Sequence, residues 1–82
     1  MVVFTLGGKK FNITREDIEK VLENTEPEPF KGRAKYYIEY NRKKYPIKQV
    51  IALVTGLPRV AFTAMDAYRI LTKLGFEVKE IQ

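Results

Sequence analysis

A Glu26-Pro27-Glu28-Pro29 run divides this 82-residue sequence into two parts that no single helix can join. Each proline lacks the amide hydrogen that a helix interior needs, and each biases the residue before it toward extended backbone. The composition changes at the same place. Residues 1–30 carry four Lys or Arg against six Asp or Glu, residues 31–59 carry eight against Glu39 alone, and residues 60–82 balance. The net charge of +5 therefore arises in the middle of the chain, where Tyr36, Tyr37, Tyr40 and Tyr45 also lie.

Turn and cap signals place elements on both sides of that run. Val2 to Leu6, then Gly7-Gly8, then Lys9 to Ile13 reads as a hairpin, since a Gly-Gly pair supplies the positive φ of a primed turn. The first strand, rich in Val and Phe, is expected to be well buried. Thr14 is an N-cap with Asp17 three residues on, and Ile13 and Ile18 fit a hydrophobic staple. Ile18, Val21 and Leu22 then give the stripe of a helix ending near Asn24.

Beyond the prolines, residues 35–40 are rich in strand formers, Asn41-Arg42 begins a turn, and Lys43 to Tyr45 return as a short strand. Pro46 suits the first turn of a helix whose inward face is Ile47, Val50, Ile51 and Val54, with Gly56 and Pro58 as its stop. Thr63 and Asp66 repeat the capping logic for a third helix, with Ala67, Ile70, Leu71 and Leu74 inward and Gly75 after its end. Residues 76–81 read as a final strand. The order is ββαββααβ in one domain over residues 1–82, an α+β fold with a mostly antiparallel sheet covered by helices. Ile18, Val21, Leu22, Ile38, Val50, Ile51, Val54, Ile70, Leu71, Leu74, Phe76 and Val78 are the expected core.

The chain has no cysteine and no histidine. That removes disulfides, thiolate chemistry, Ser-His and Cys-His nucleophiles and cysteine or histidine metal sites. Asp66 with Glu77-x-Lys79 fits the loose carboxylate and lysine spacing of metal-dependent nucleases. Asp66 has a simpler employment as the partner of Thr63, and Glu77 and Lys79 read as solvated strand charges. No catalytic residue, metal or cofactor is assigned, and the chain reads as non-enzymatic. No apolar run approaches the roughly 18 residues of a membrane span, and the amino terminus lacks the pattern of a secretory signal. A cytoplasmic protein without a membrane partner is expected.

Basic residues interleaved with aromatics suit nucleic acid, the cations meeting phosphates and the rings meeting bases or sugars. Lys35, Arg42, Lys43, Lys44, Lys48 and Arg59 are the candidate contacts. Lys48 falls in the first turn of a helix, where unpaired N–H groups also favour an anion. Tyr37 and Tyr45 are the candidate stacking rings, although Tyr45, directly before Pro46, reads first as core. Two other readings stand beside this one. The lysines could protect a sheet edge, or the patch could dock the domain on an acidic partner subunit.

The run Tyr37-x-x-Tyr40-Asn41-x-Lys43-x-Tyr45-Pro46-x-Lys48, the apolar helix to Gly56, the late Leu74-Gly75-Phe76-Glu77-Val78 and the early Ile13-Thr14-x-Glu16-Asp17 resemble the small head domain of McrA-like modification-dependent restriction endonucleases. More loosely, they resemble the sulfur-recognising DNA-binding domain of those enzymes. In that family the head accompanies DNA-reading and HNH nuclease domains, and the resemblance implies an accessory nucleic-acid or substrate-recognition module. DNA as ligand and a partner protein, a nuclease or an ATPase, that supplies any chemistry are expected. One position departs from that pattern, since the family's turn reads Asn-Gly where this chain has Asn41-Arg42. An arginine with positive φ costs about 1 kcal/mol, which implies either a different turn type or a gain from the charge.

Overall fold

The computed structural model describes residues 2–29 and 35–81. Strands β1 (Val2–Leu6) and β2 (Lys9–Ile13) precede helix α1 (Arg15–Glu23); β3 (Tyr36–Tyr40) and β4 (Lys43–Pro46) lead into α2 (Ile47–Thr55); a 3-10 turn (Arg59–Ala61), α3 (Ala64–Lys73) and the short β5 (Lys79–Glu80) complete the chain. The ββαββααβ order of an α+β domain is thus observed. The strands divide between two antiparallel sheets, a β1–β2 ribbon and a three-stranded sheet ordered β4-β3-β5. Lys31 and Arg33, counted in the basic segment, lie outside the described residues.

Gly7 and Gly8 both have positive φ, 58° and 80°, as the primed turn of the first hairpin requires. Its register sets Phe4 opposite Phe11, and their rings stack at 5.6 Å. The first strand is not well buried, contrary to the expectation. Val3 is 55% exposed, Phe4 packs against the core half-buried, and among its described side chains only Leu6 is buried. The reason is architectural. A two-stranded ribbon covers one face only, so alternate residues of even an apolar strand meet water.

Both capping boxes form. Asp17 N–H donates to Thr14 Oγ1 at 3.2 Å while Thr14 N–H donates to Asp17 Oδ2 at 2.9 Å, and Thr63 and Asp66 do the same at 3.2 and 3.0 Å. The backbone N–H of each cap residue is the main cause that lowers the carboxyl pKa of Asp17 and Asp66 below the ordinary 3.8. A carboxyl depressed in the folded state stabilises it above the unfolded value, so both caps weaken as acid carries the pH below 3.8 and through the lowered folded values.

Helix α3 closes on Gly75, whose φ of 92° lets Gly75 N–H reach Thr72 O and Phe76 N–H reach Leu71 O. This closure shortens the last strand. The expected strand over residues 76–81 is observed only at Lys79–Glu80, because Phe76 spends its amide on the helix end and its ring in the core. Arg15 fastens α1 to the same place. Its Nη1 donates to Gly75 O at 2.7 Å and its guanidinium lies 4.4 Å from the centre of the Phe76 ring. A side chain at residue 75 would meet that guanidinium at 3.0 Å.

Pro46 is the other boundary that moves. It ends β4 opposite Tyr37 and caps α2 with extended backbone, so it stands just before the helix instead of inside its first turn. An edge strand accepts a proline because one of its amide rows has no ladder partner. Of the twelve expected core residues, Val21, Val54 and Val78 are half-buried and the other nine are buried. Leu6, Ile13, Tyr45, Ile47, Phe62 and Ala67 are buried with them.

Among the described residues one polar side chain lies in that core, Gln49, 5% exposed. Its Nε2 donates to Glu26 O at 3.0 Å and its Oε1 accepts from Glu28 N–H at 3.0 Å. Gln49→Leu keeps the shape and removes both bonds, leaving a part-buried N–H and a part-buried C=O unpaired. A loss of about 1–3 kcal/mol is expected in chemical denaturation, and an unchanged midpoint would show that the 26–28 backbone does not depend on Gln49.

Candidate nucleic-acid interface

The Glu-Pro-Glu-Pro run is a strap laid along the basic half of the molecule, in place of a spacer standing away from it. Tyr45 starts the attachment. Its hydroxyl lies 3.1 Å from Leu22 O and 2.9 Å from Thr25 O, and its one hydrogen is shared between these two carbonyls where α1 ends. Gln49 continues it through Glu26 and Glu28. The strap's carboxylates then meet two of the candidate cations. Glu26 pairs with Lys43 Nζ at 3.0 Å, and Glu28 forms an ion pair with Arg59. The bond to Glu26 is the main cause that raises the Lys43 pKa above its ordinary value.

The six candidate cations separate into two groups of three. Arg42, Lys43 and Lys44 sit at the β3–β4 turn. Lys35, Lys48 and Arg59 line a groove of about 710 Å³ at the other end of that hairpin. The register gives the separation. Tyr40 pairs with Lys43 near the turn and Tyr37 with Pro46 at the base, three strand residues apart or roughly 10 Å. Lys35 reaches the groove from the start of β3, Lys48 from the first turn of α2 and Arg59 from the 3-10 turn. Lys48 Nζ stands 5.4 Å from the centre of the Phe62 ring, which steadies the ammonium at the groove. Among the described residues Lys35, Arg42, Lys44 and Lys48 have no carboxylate partner within ion-pair distance.

The two candidate rings part company. Alternation along β3 places Tyr36, Ile38 and Tyr40 on the covered face and Tyr37 and Glu39 on the outer one. Tyr37 is half-buried there with Lys44 Nζ 5.4 Å from its ring centre. Tyr45 is 1% exposed. It is withdrawn as a stacking ring, because its face is inside the core and its hydroxyl is committed to the end of α1. Tyr40 donates to Glu23 Oε1 at 3.2 Å; burial first, and then the Glu23 charge, raises its pKa.

Two of the nuclease-like trio have other partners. Asp66 Oδ1 accepts from Arg69 at 2.8 Å while Oδ2 serves the cap, and Lys79 pairs with Glu39 at 3.5 Å. Among the described residues no three carboxylates gather into a group able to hold a metal ion. The groove also contains residues that sequence reasoning did not assign to a site. Tyr36, Pro46, Val60, Phe62 and Ala64 form its apolar side, and Val60 is 95% exposed. A signal for the strap was present in Gln49, a lone amide at the head of the apolar run Val50 to Val54.

The sequence model of the SCO5918-like family matches residues 6–82. The chain belongs to that family. The match runs from the end of β1 through β5, so the groove, the strap and the β3–β4 turn all fall inside the family's common region. No curated protein and no solved structure matches the chain. Among the described residues no helix is long and apolar enough to cross a membrane.

The turn that departs from Asn-Gly is itself informative. Asn41 and Arg42 have φ of 51° and 64°, so the turn is primed like Gly7-Gly8 and the alternative of a different turn type falls. Arg42 therefore bears the left-handed cost at an exposed position with no carboxylate partner among the described residues. Arg42→Gly should stabilise the fold by up to about 1 kcal/mol, or raise Tm by roughly 4–8 °C. A lower Tm in a thermal melt would mean that the side chain contributes to folding.

Proposed function

We propose that this chain is a non-catalytic nucleic-acid-binding module, with DNA as the ligand class and the cytoplasm as its compartment. In this reading a partner protein, a nuclease or an ATPase, carries out any chemistry. The observation that carries the proposal is the convergence of Lys35, Lys48 and Arg59, from three separate segments, on one groove at the base of the hairpin whose turn carries Arg42, Lys43 and Lys44. Cations so arranged meet successive phosphates of a strand, with Lys48 adding the unpaired N–H groups at the start of α2. The likeness of the Tyr37 to Lys48 run to the McrA-like head supports the same ligand. The retention of Arg42 in a backbone conformation that disfavours it supports a use for its charge.

A second reading has its own observation. Val60, an apolar side chain 95% exposed on the lip of the groove, suits a protein partner with an acidic and apolar surface.

Salt dependence separates the two. Counting the four cations without a carboxylate partner, Lys35, Arg42, Lys44 and Lys48, the log of the DNA affinity should fall with log salt at a slope of roughly −3 to −3.5. Heparin should compete, Lys48→Ala should flatten the slope by about one, and Glu19→Gln should leave it unchanged. Arg42→Gly should weaken binding while stabilising the fold. With Mg²⁺ present the oligonucleotide should stay intact. A slope near zero without heparin competition would reject the nucleic-acid reading and favour the protein partner, and metal-dependent cleavage abolished by Glu77→Gln would reject the non-catalytic one.

A further inference from the structure

We infer that the groove takes a short unpaired stretch of nucleic acid in preference to duplex, an inference that rests on the nucleic-acid reading above and specifies its ligand. The groove has two unlike sides. Lys35 and Lys48 supply positive charge beside the Arg59–Glu28 ion pair, and Tyr36, Pro46, Val60, Phe62 and Ala64 supply an apolar side. A duplex turns its phosphates and sugars outward and keeps the flat faces of its bases stacked inside. Against this groove it would satisfy the cations and set phosphate oxygens against the apolar side. An unpaired nucleotide presents an apolar base face and an anionic phosphate together, which matches both sides at once.

Size agrees with this. The volume of about 710 Å³ lies within the roughly 300–1,000 Å³ of clefts that enclose drug-sized ligands, which corresponds to about one or two nucleotides and not to a double helix. Val60 adds the second observation, since an apolar side chain 95% exposed on the 3-10 turn has no cover within the described part of the chain. A base lying across the groove would cover it.

The rings of the groove are already engaged, which sets the kind of contact. Phe62 is 5% exposed beneath the Lys48 ammonium, and Tyr36 packs edge to face against Tyr68 at 5.2 Å. Neither offers a fully open face, so bases rest on ring edges, proline and valine, a surface with little power to tell one base from another. Glu28, held from behind by Gln49 and paired with Arg59, keeps that guanidinium at the groove. The depression on the outer sheet face near Tyr37 differs in charge. There Lys44 and Lys79 are offset by Glu77 and Glu80, so it has no excess with which to attract a phosphate chain.

The test is fluorescence anisotropy of the full chain with a labelled mixed-sequence DNA 12-mer, the same sequence as RNA, the annealed DNA duplex and a labelled polyglutamate peptide, all at one salt concentration. The expected result is single strands, of either sugar, bound about tenfold more tightly than the duplex. Val60→Asp, at a site too exposed to matter for folding, should weaken single-strand binding about fivefold or more. Val60→Ala should act in the same direction with a smaller effect, which separates lost apolar contact from added charge. Duplex bound as tightly as single strand, or a Val60→Asp variant that binds single strand like the parent, would overturn this inference and leave the nucleic-acid reading standing. Binding to none of the nucleic acids, or a preference for the polyglutamate peptide, would overturn both.

Discussion

The buried amide of Gln49 joins the two halves that the prolines divide. It donates to one strap residue and accepts from another, and an amide in an apolar core keeps this place only while both ends are satisfied. Tyr45 adds a second attachment a few residues upstream, on the Leu22 carbonyl in the last turn of α1 and the Thr25 carbonyl just beyond it. Through these two side chains α1, β4 and α2 are tied to one strap. Glu28 and Pro29 thereby become part of the groove instead of part of a tether. Among the described residues every buried side-chain nitrogen and oxygen has a hydrogen-bond partner, so the strap is accommodated without an electrostatic penalty left in the core.

The strap also changes what the net charge means. Read along the chain, residues 31–59 look like an unbroken basic surface. In the fold, acids from just outside that segment return to it, and Lys43 and Arg59 each meet a carboxylate. Exposed pairs of this kind contribute little to stability. Their effect is on position, because they hold two side chains in place and leave Lys35, Arg42, Lys44 and Lys48 as the cations without a carboxylate partner among the described residues of that segment. Two of these four are further placed by rings, Lys44 over Tyr37 and Lys48 over Phe62.

Local chemistry made most of the fold legible in the sequence. Thr14 and Thr63 with their aspartates, Gly7-Gly8 and Gly75 act over a few residues, so their signals needed nothing from the rest of the chain. What sequence reasoning missed depends on distant neighbours. Val3 is exposed because its ribbon has no second layer, and residues 76–78 are not a strand because Phe76 closes α3. The site was legible by residue type and not by arrangement. Composition picked out the six cations, but only the fold divides them between a turn and a groove. Tyr45 could be read as ring or core until the Leu22 and Thr25 carbonyls were seen to claim its hydroxyl. Val60 left no pattern that composition or periodicity could raise, and the strap left only Gln49, a lone amide ahead of an apolar run.

The most direct measurement is an amide-resolved NMR titration of the ¹⁵N-labelled chain with an unlabelled single-stranded oligonucleotide at physiological salt. The account predicts that the largest shift changes fall on residues 35–36, 47–48 and 59–64, with a smaller set at 42–44 and none concentrated on the acidic outer surface of α1. Saturable changes centred on α1 or on the β1–β2 ribbon, with the groove amides unmoved, would contradict it.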